Sequence, residues 1–276
     1  MSVNLSAVAA EQFDSEVKHA YQGKQTLREC VRLRTGVVGD KYDFRLMGKG
    51  AATQTNGPSA DVVPMDIAHS LKVATLVGYE APEYTDIYNQ AEVNFDEVRE
   101  LAETTAGAMG RRDDQSIIDA LDAGAGSTVA AGGTKLLVAK IRSAAKALNA
   151  VEAPMEDRYF LTDHQGLDSL LEQTEVTSSD YAAVKALVHG EVNTFLGFTF
   201  KVIGTRVEGG LPEAGGDVFT NFAFHKSAIG HAVSIDMTTR VDYVAHKKSW
   251  LSMGMWQAGS IAIDSEGIVA VDADYT

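Results

Sequence analysis

A mixed α+β fold is what this sequence predicts, and three stretches carry the prediction. Across residues 94–122, Phe95, Val98, Ala102, Thr105 and Met109 step by three and four, followed by Ile117, Ala120 and Leu121, the period of one helix face. Across residues 36–72 the pattern changes to alternation: Tyr42, Phe44 and Leu46 alternate with polar residues, and Leu71, Val73 and Thr75 do so again. From Val218 onward the chain reads mainly as β, with strands at 219–224, 240–245, 250–255, 260–263 and 268–271. At 276 residues there is chain enough for one large domain or two ordinary ones with real cores.

Residues 8–22 place Phe13, Val17 and Tyr21 at fourfold spacing among Glu11, Asp14, Glu16 and Lys18, which predicts an amphipathic N-terminal arm. The two alternating runs that follow read as the strands of a long hairpin. The segment between them, GKGAATQTNGPSADVVPMD, is polar, rich in turn formers and longer than the roughly 12–15 residues of an ordinary connection, so it is either functional or disordered. A two-stranded hairpin alone is at best marginally stable in water, so an extended one needs support from another surface, such as a neighbouring subunit.

The long helix has Asn94 to cap its start, Glu97 three residues on, and Gly124 just past its end. Gly107 and Gly110 lie inside it, each costing about 1 kcal/mol relative to Ala. Arg111, Arg112, Asp113 and Asp114 read as its solvated face. After the break GAGSTVAAGG, Thr134 is positioned to cap a second helix with Leu137, Ile141, Ala145 and Leu148 on one stripe. A strand at 158–161 follows the Pro154 turn, and shorter helical patterns span 164–173 and 180–188, the first capped by Thr162-Asp163. Phe198, Phe200 and Val202 alternate as a strand, and the glycine-rich 204–216 reads as an exposed flexible loop. The turn DSEG, 264–267, joins the last two strands.

Composition narrows the function classes. Lys plus Arg number 24 against 38 Asp plus Glu, and the net charge of −14 opposes a strong grip on a phosphate backbone. No window approaches the roughly 18 apolar residues of a membrane span, and the first residues lack a secretory pattern, which predicts a soluble chain not marked for export. The single cysteine, Cys30, excludes an intramolecular disulfide and a Cys-based zinc site, and it reads as a small buried apolar residue. A phosphate loop fails at Gly48-Lys49-Gly50, a dinucleotide fingerprint fails at Val129, and no Gly-x-Ser-x-Gly elbow occurs. The seven histidines include no pair spaced for zinc on one helix face. Lys247-Lys248 beside Trp250 reads as a solvated pair or a guard at a strand edge. No catalytic residue, metal site or cofactor site is assigned.

The order of elements, with QFDSEVKHAYQ near the start, RYFLTDHQGLDSLL before SSDYAAVKALVHGEVNTFLGFTF, and FAFHKSAIGHAV at 222–233, resembles the tailed-bacteriophage major capsid proteins, in particular podovirus-like coat proteins. The resemblance implies the Hong-Kong-97-type fold, an α+β fold seen also in encapsulins. On it, residues 1–35 correspond to the N-terminal arm, 36–72 to the extended hairpin loop, 73–125 with 232–276 to the peripheral domain and its spine helix, and 126–231 to the axial domain. It further implies self-assembly as hexamers and pentamers into an icosahedral virion shell enclosing double-stranded DNA without sequence-specific binding. No cofactor, no membrane and no enzymatic activity are implied. The expected partners are further copies of the chain, a separate scaffolding protein and a portal protein, with assembly in the host bacterial cytoplasm. The expected intersubunit contacts are Phe13, Tyr21, Tyr42, Phe44, Lys49, Arg111, Arg112, Lys247 and Lys248; Lys49 also stands where some relatives cross-link, without an aligned acid or acceptor. Two alternatives stand beside this reading: an encapsulin-like nanocompartment shell, and a hydrolase or transferase whose groups come together from distant parts of the chain.

Overall fold

The computed structural model describes residues 25–54, 57, 61–88, 97–173 and 194–276, with side chains from 100 onward in the long helix. The expected arm with Phe13 and Tyr21, the Asn94 cap and the 180–188 helix lie outside the described residues.

Helix α1 (Glu97–Gly124) organises the subunit. Its 28 residues make a rod of about 42 Å, long enough to cross two separate sheets. Met109, in its first half, packs with Val233, Trp256 and Ala258 of the first sheet. Ile117, Ile118 and Leu121, in its second half, pack with Leu161, Phe222, Phe224 and Ile268 of the second. The glycine ending the helix is needed there: a Cβ on Gly124 would lie 2.1 Å from that of Ala262.

The first sheet contains β1 (Arg32–Thr35), β4 (Val77–Asp86), β9 (Ile229–Val244) and β10 (Ser249–Ala262), in the order β1-β9-β10-β4. β9 and β10 form one long antiparallel hairpin, whereas the sequence suggests three short strands there. The register shifts at Met255/Gln257, and that irregularity interrupts the alternation by which a continuous strand is recognised. The second sheet runs β5-β11-β8-β6-β7, from β5 (Ser127–Val129), β6 (Arg158–Asp163), β7 (Thr199–Ile203), β8 (Val218–His225) and β11 (Ile268–Asp274). Helices α2 (Val138–Ala150) and α3 (His164–Leu171) cover the face carrying Phe160, Ala223, Val269 and Val271, while α1 covers the face carrying Leu161, Phe222 and Ile268. The turn after β10 therefore does not lead into a neighbouring strand of the same sheet: β11 crosses over and pairs between β5 and β8. β11 thus shares a sheet with strands between residues 127 and 225 and not with β9 and β10.

Local signals differ in how they resolve. Asp163 caps α3 as expected, accepting from the Gly166 amide at 2.8 Å. Thr134 caps nothing. It closes a turn on Ala131, and α2 starts after Leu137 because the Lys140 ammonium is drawn in to the carbonyls of Ala131, Thr134 and Asp272. The loop 204–216 is folded back in part: Gly209 and Gly210 are buried, and the Gly209 amide donates to Gln115 of α1.

The expected hairpin is present as β2 (Lys41–Met47) and β3 (His69–Thr75), antiparallel, with Phe44 opposite Lys72. One face carries Tyr42, Phe44 and Leu46 onto Ala232, Ile261 and Ile263 of the first sheet. Glycines permit the close approach: a Cβ on Gly230 would meet the Phe44 ring at 2.7 Å, and one on Gly259 would lie 2.1 Å from the Thr75 carbonyl oxygen. We expect Gly259→Ala to cost about 1–3 kcal/mol, because a backbone oxygen must move. Gly78→Ala, with nothing within 4 Å, should be close to neutral. Thermal unfolding of the two variants checks the pair, and equal melting temperatures would contradict this seating of the hairpin.

Candidate functional site

Two features outside the apolar cores stand out: a buried polar junction on α1, and the open outer face of the hairpin. The junction corrects the reading of Asp113 and Asp114 as a solvated face, since both are fully buried. The signal was present in the sequence. Asp113 lies four residues after Met109 and four before Ile117, and Asp114 lies four before Ile118, so both fall on the buried side of the helix.

Each carboxylate has its own donors. Asp114 accepts from the amides of Thr26 and Leu27 at 3.0–3.2 Å and from the Arg206 guanidinium at 3.0 Å. Burial pushes its carboxyl above the ordinary range, while these donors pull it back. Asp113 accepts from the Gln25 side chain, and its other oxygen lies 3.0 Å from His231 Nε2, close but without hydrogen-bond alignment. His231 Nδ1 lies 2.8 Å from the Ser260 hydroxyl, which lies 2.7 Å from that of Ser116. Gly110 makes room for the incoming segment, since a Cβ there would sit 3.3 Å from Gln25.

Ser, His and Asp in hydrogen-bonding order are the residue types of a nucleophilic triad. Here the imidazole presents Nδ1 to the serine instead of Nε2, is wholly buried, and stacks on Trp256 with centroids 6.4 Å apart. The nearby Gly126 amide is committed to the Ile268 carbonyl. What this chain of groups does is fasten β9, β10 and the segment 25–27 to α1. Among the described residues no group of three or more His, Cys, Asp or Glu is placed to hold a metal ion. No described helix is long and apolar enough to cross a membrane.

The expected contact residues divide by placement. Phe44, 3% exposed, spends its ring inside the subunit, and Tyr42 beside it is half-buried. Arg32 and Arg34 of β1 reach over those two rings, each guanidinium 5.9 Å from a centroid. Lys49 is exposed and 3.0 Å from Glu266 of the same chain. Arg112 stacks on Tyr79 at 4.5 Å and lies 3.9 Å from Glu208, and Tyr79 in turn stacks on Trp256. Arg111 is half-buried on the same helix. Lys247 and Lys248 form the turn between β9 and β10, with the Lys247 ammonium 3.8 Å from the Tyr84 ring centroid. Outward from the hairpin face Met47, Leu71 and Val73, with Val62, Val63 and Met65 exposed in the connecting segment. The sequence alternation placed Leu71 and Val73 on one side of β3 but did not reveal that this side is uncovered.

Comparison with known proteins places these features in a family. A family model described as phage capsid protein matches residues 5–274. No curated protein matches the sequence. Among solved structures, the capsid of cyanophage P-SCSP1u superposes with a TM-score of 0.76 at 16% identity, covering 100% of this chain and 96% of that one. The head structure of Helicobacter pylori bacteriophage KHP40 gives a TM-score of 0.79 at 11% identity, covering 100% and 98%. Mycobacterium phage Che8 gives 0.74 at 16% identity, covering 95% and 96%.

Two measurements probe the junction. Asp114→Ala leaves Arg206 and two amides without their acceptor and should cost about 3–5 kcal/mol, whereas Asp119→Ala, on the exposed side, should change stability by less than about 0.5 kcal/mol. Thermal melts with limited proteolysis after Arg28 check this. Cys30, fully buried beside the junction, has its thiol pushed up to about 11 by burial. The unfolded thiol ionises near its ordinary value of about 8.5, so above that pH the folded protein holds a proton that the unfolded chain has lost, and stability falls as pH climbs. Cys30→Ala should remove that share of the alkaline loss, and native Cys30 should resist maleimide at pH 8 until the chain unfolds.

Proposed function

We propose, from the premise that this chain belongs to the phage capsid protein family, that it closes phage heads as hexamers and pentamers around double-stranded DNA. As a member of that family it is a major capsid protein with the Hong-Kong-97-type α+β fold, and the encapsulin-like alternative is not favoured. The finer statements are our reading. The shell grows on a separate scaffolding protein from a portal vertex in the host cytoplasm, and it encloses DNA through bulk confinement, in keeping with a net charge of −14. The chain acts as a wall and not as a catalyst.

The observation that carries the reading is the two-faced hairpin. Its inner face is sealed onto the subunit's own sheet, yet Met47 at 63% and Leu71 at 59% exposure face outward with Val73. Large apolar groups aligned on a strand pair mark a surface that is covered in assembly. We assign residues 36–72 to the intersubunit loop, 1–35 to the arm with Phe13 and Tyr21, 73–125 with most of 232–276 to the peripheral unit, and 126–231 with β11 to the axial unit. Tyr42, Lys49, Arg111, Arg112, Lys247 and Lys248 are the proposed contacts, and Phe44 serves them by fixing the hairpin root. Deleting residues 48–60 should leave the subunit folded, with an unchanged melting profile, and abolish closed shells in negative-stain images. Normal particles from the deletion would refute the role of the loop.

A further inference from the structure

The first sheet has two free edges of opposite charge. β1 exposes all four of its residues, Arg32, Leu33, Arg34 and Thr35. β4, at the other edge, exposes Glu80 and Glu83. None of these four charged side chains has an ion-pair partner among the described residues, whereas Arg28, just before β1, is bound to Asp236 at 2.8 Å. Other charges near the acidic edge are Asp86, whose carboxylate accepts from the Tyr88 amide, and Lys247, whose ammonium covers Tyr84.

The registers fix the facing. Arg32 lies opposite Gly230 and Arg34 opposite Ala232, on the hairpin side of the sheet. Tyr79 stacks on Trp256 on the helix side, so Glu80, the next residue along β4, lies on the hairpin side with the arginines, and Glu83 flanks the edge from the helix side. We propose that these edges meet head to tail between neighbouring copies of this chain, Arg32 and Arg34 of one against Glu80 and Glu83 of the next. The proposal rests on the shell reading and specifies which partner the sheet edges take.

Three observations favour a second copy as the occupant. The two charge sets are equal in number and opposite in sign, and neither has an ion-pair partner among the described residues. Exposed apolar residues stand beside both, Leu33 on one edge and Val77 and Tyr84 on the other, so the contact has material to bury. Pro82, in the middle of β4, offers no amide for a continued ladder, so β4 is disposed to side-chain contacts in place of strand addition. Like edges repel, which disfavours a two-fold contact and selects a heterologous one, and a heterologous contact that closes makes a ring.

The test is charge reversal with restoration. R32E/R34E alone and E80R/E83R alone should each lower the yield of rings and shells at least tenfold, measured by sedimentation and negative stain. The quadruple variant R32E/R34E/E80R/E83R, with both edges reversed, should recover most of it. Because the guanidiniums also rest on Phe44 and Tyr42, a misfolded R32E/R34E would leave E80R/E83R, which keeps both arginines, to decide. Wild-type yields from E80R/E83R, or a folded quadruple that does not recover, overturn the proposal. So do normal shells of R32E/R34E with reduced DNA content, which would give the arginines to nucleic acid. Failure of the wild-type chain to form rings or shells at all would instead overturn the shell reading.

Discussion

Moving a carboxylate out of water costs several kcal/mol unless donors replace its hydration, and α1 buries two in succession. That constraint arranges the centre of the subunit. Asp114 is accommodated there because the chain at Thr26 and Leu27 offers two amides and the loop after β7 delivers Arg206. Asp113 calls in Gln25 from the same segment and His231 from β9. Segments distant in sequence are thereby tied to one turn of one helix, and the position of the chain at residues 25–27 is fixed. Apolar packing alone is non-directional and would hold the same segments together without settling their register. The buried charges settle it, because a slip of one residue would leave a carboxylate without its donors.

The hairpin follows a different logic. Phe44 over Gly230 and the Thr75 carbonyl against Gly259 seat its root so closely that only glycine fits beneath. Its outward face keeps apolar groups that a lone subunit gains nothing by exposing. A seated root with an open outer face suits an element that must find a partner while remaining part of its own subunit. The opposite charges on the two edges of the adjacent sheet act at another level: they contribute orientation more than affinity, since exposed pairs are individually weak.

How much of this was legible depended on whether the signal was local. The Asp163 cap, the alternation of Tyr42, Phe44 and Leu46 and the period of α1 are set by near neighbours, and each reads directly from the sequence. Thr134 misled because a buried lysine six residues later takes the carbonyls around it, an event decided by tertiary packing. Asp113 and Asp114 were read by residue type when their spacing from Met109, Ile117 and Ile118 already placed them inside. The pairing of β11 lay beyond sequence reasoning altogether, since alternation says that a strand has two faces and nothing about which strand lies beside it. The resemblance supplied what local reading lacked, because the order of arm, hairpin, helix, inserted α/β region and closing strands survives where individual motifs do not.

The place of β11 bears on when the subunit becomes competent. Val269 pairs with Ser127, so the second sheet lacks an inner strand until everything between them has been synthesised. At about 5–20 residues per second, translation of that stretch takes on the order of ten seconds. Once β8 has been made, Phe222 and Phe224 still lack the neighbour that completes their layer until β11 follows, and the anchor for the second half of α1 is unfinished. The far crossover thus ties completion of the second sheet to the arrival of β11.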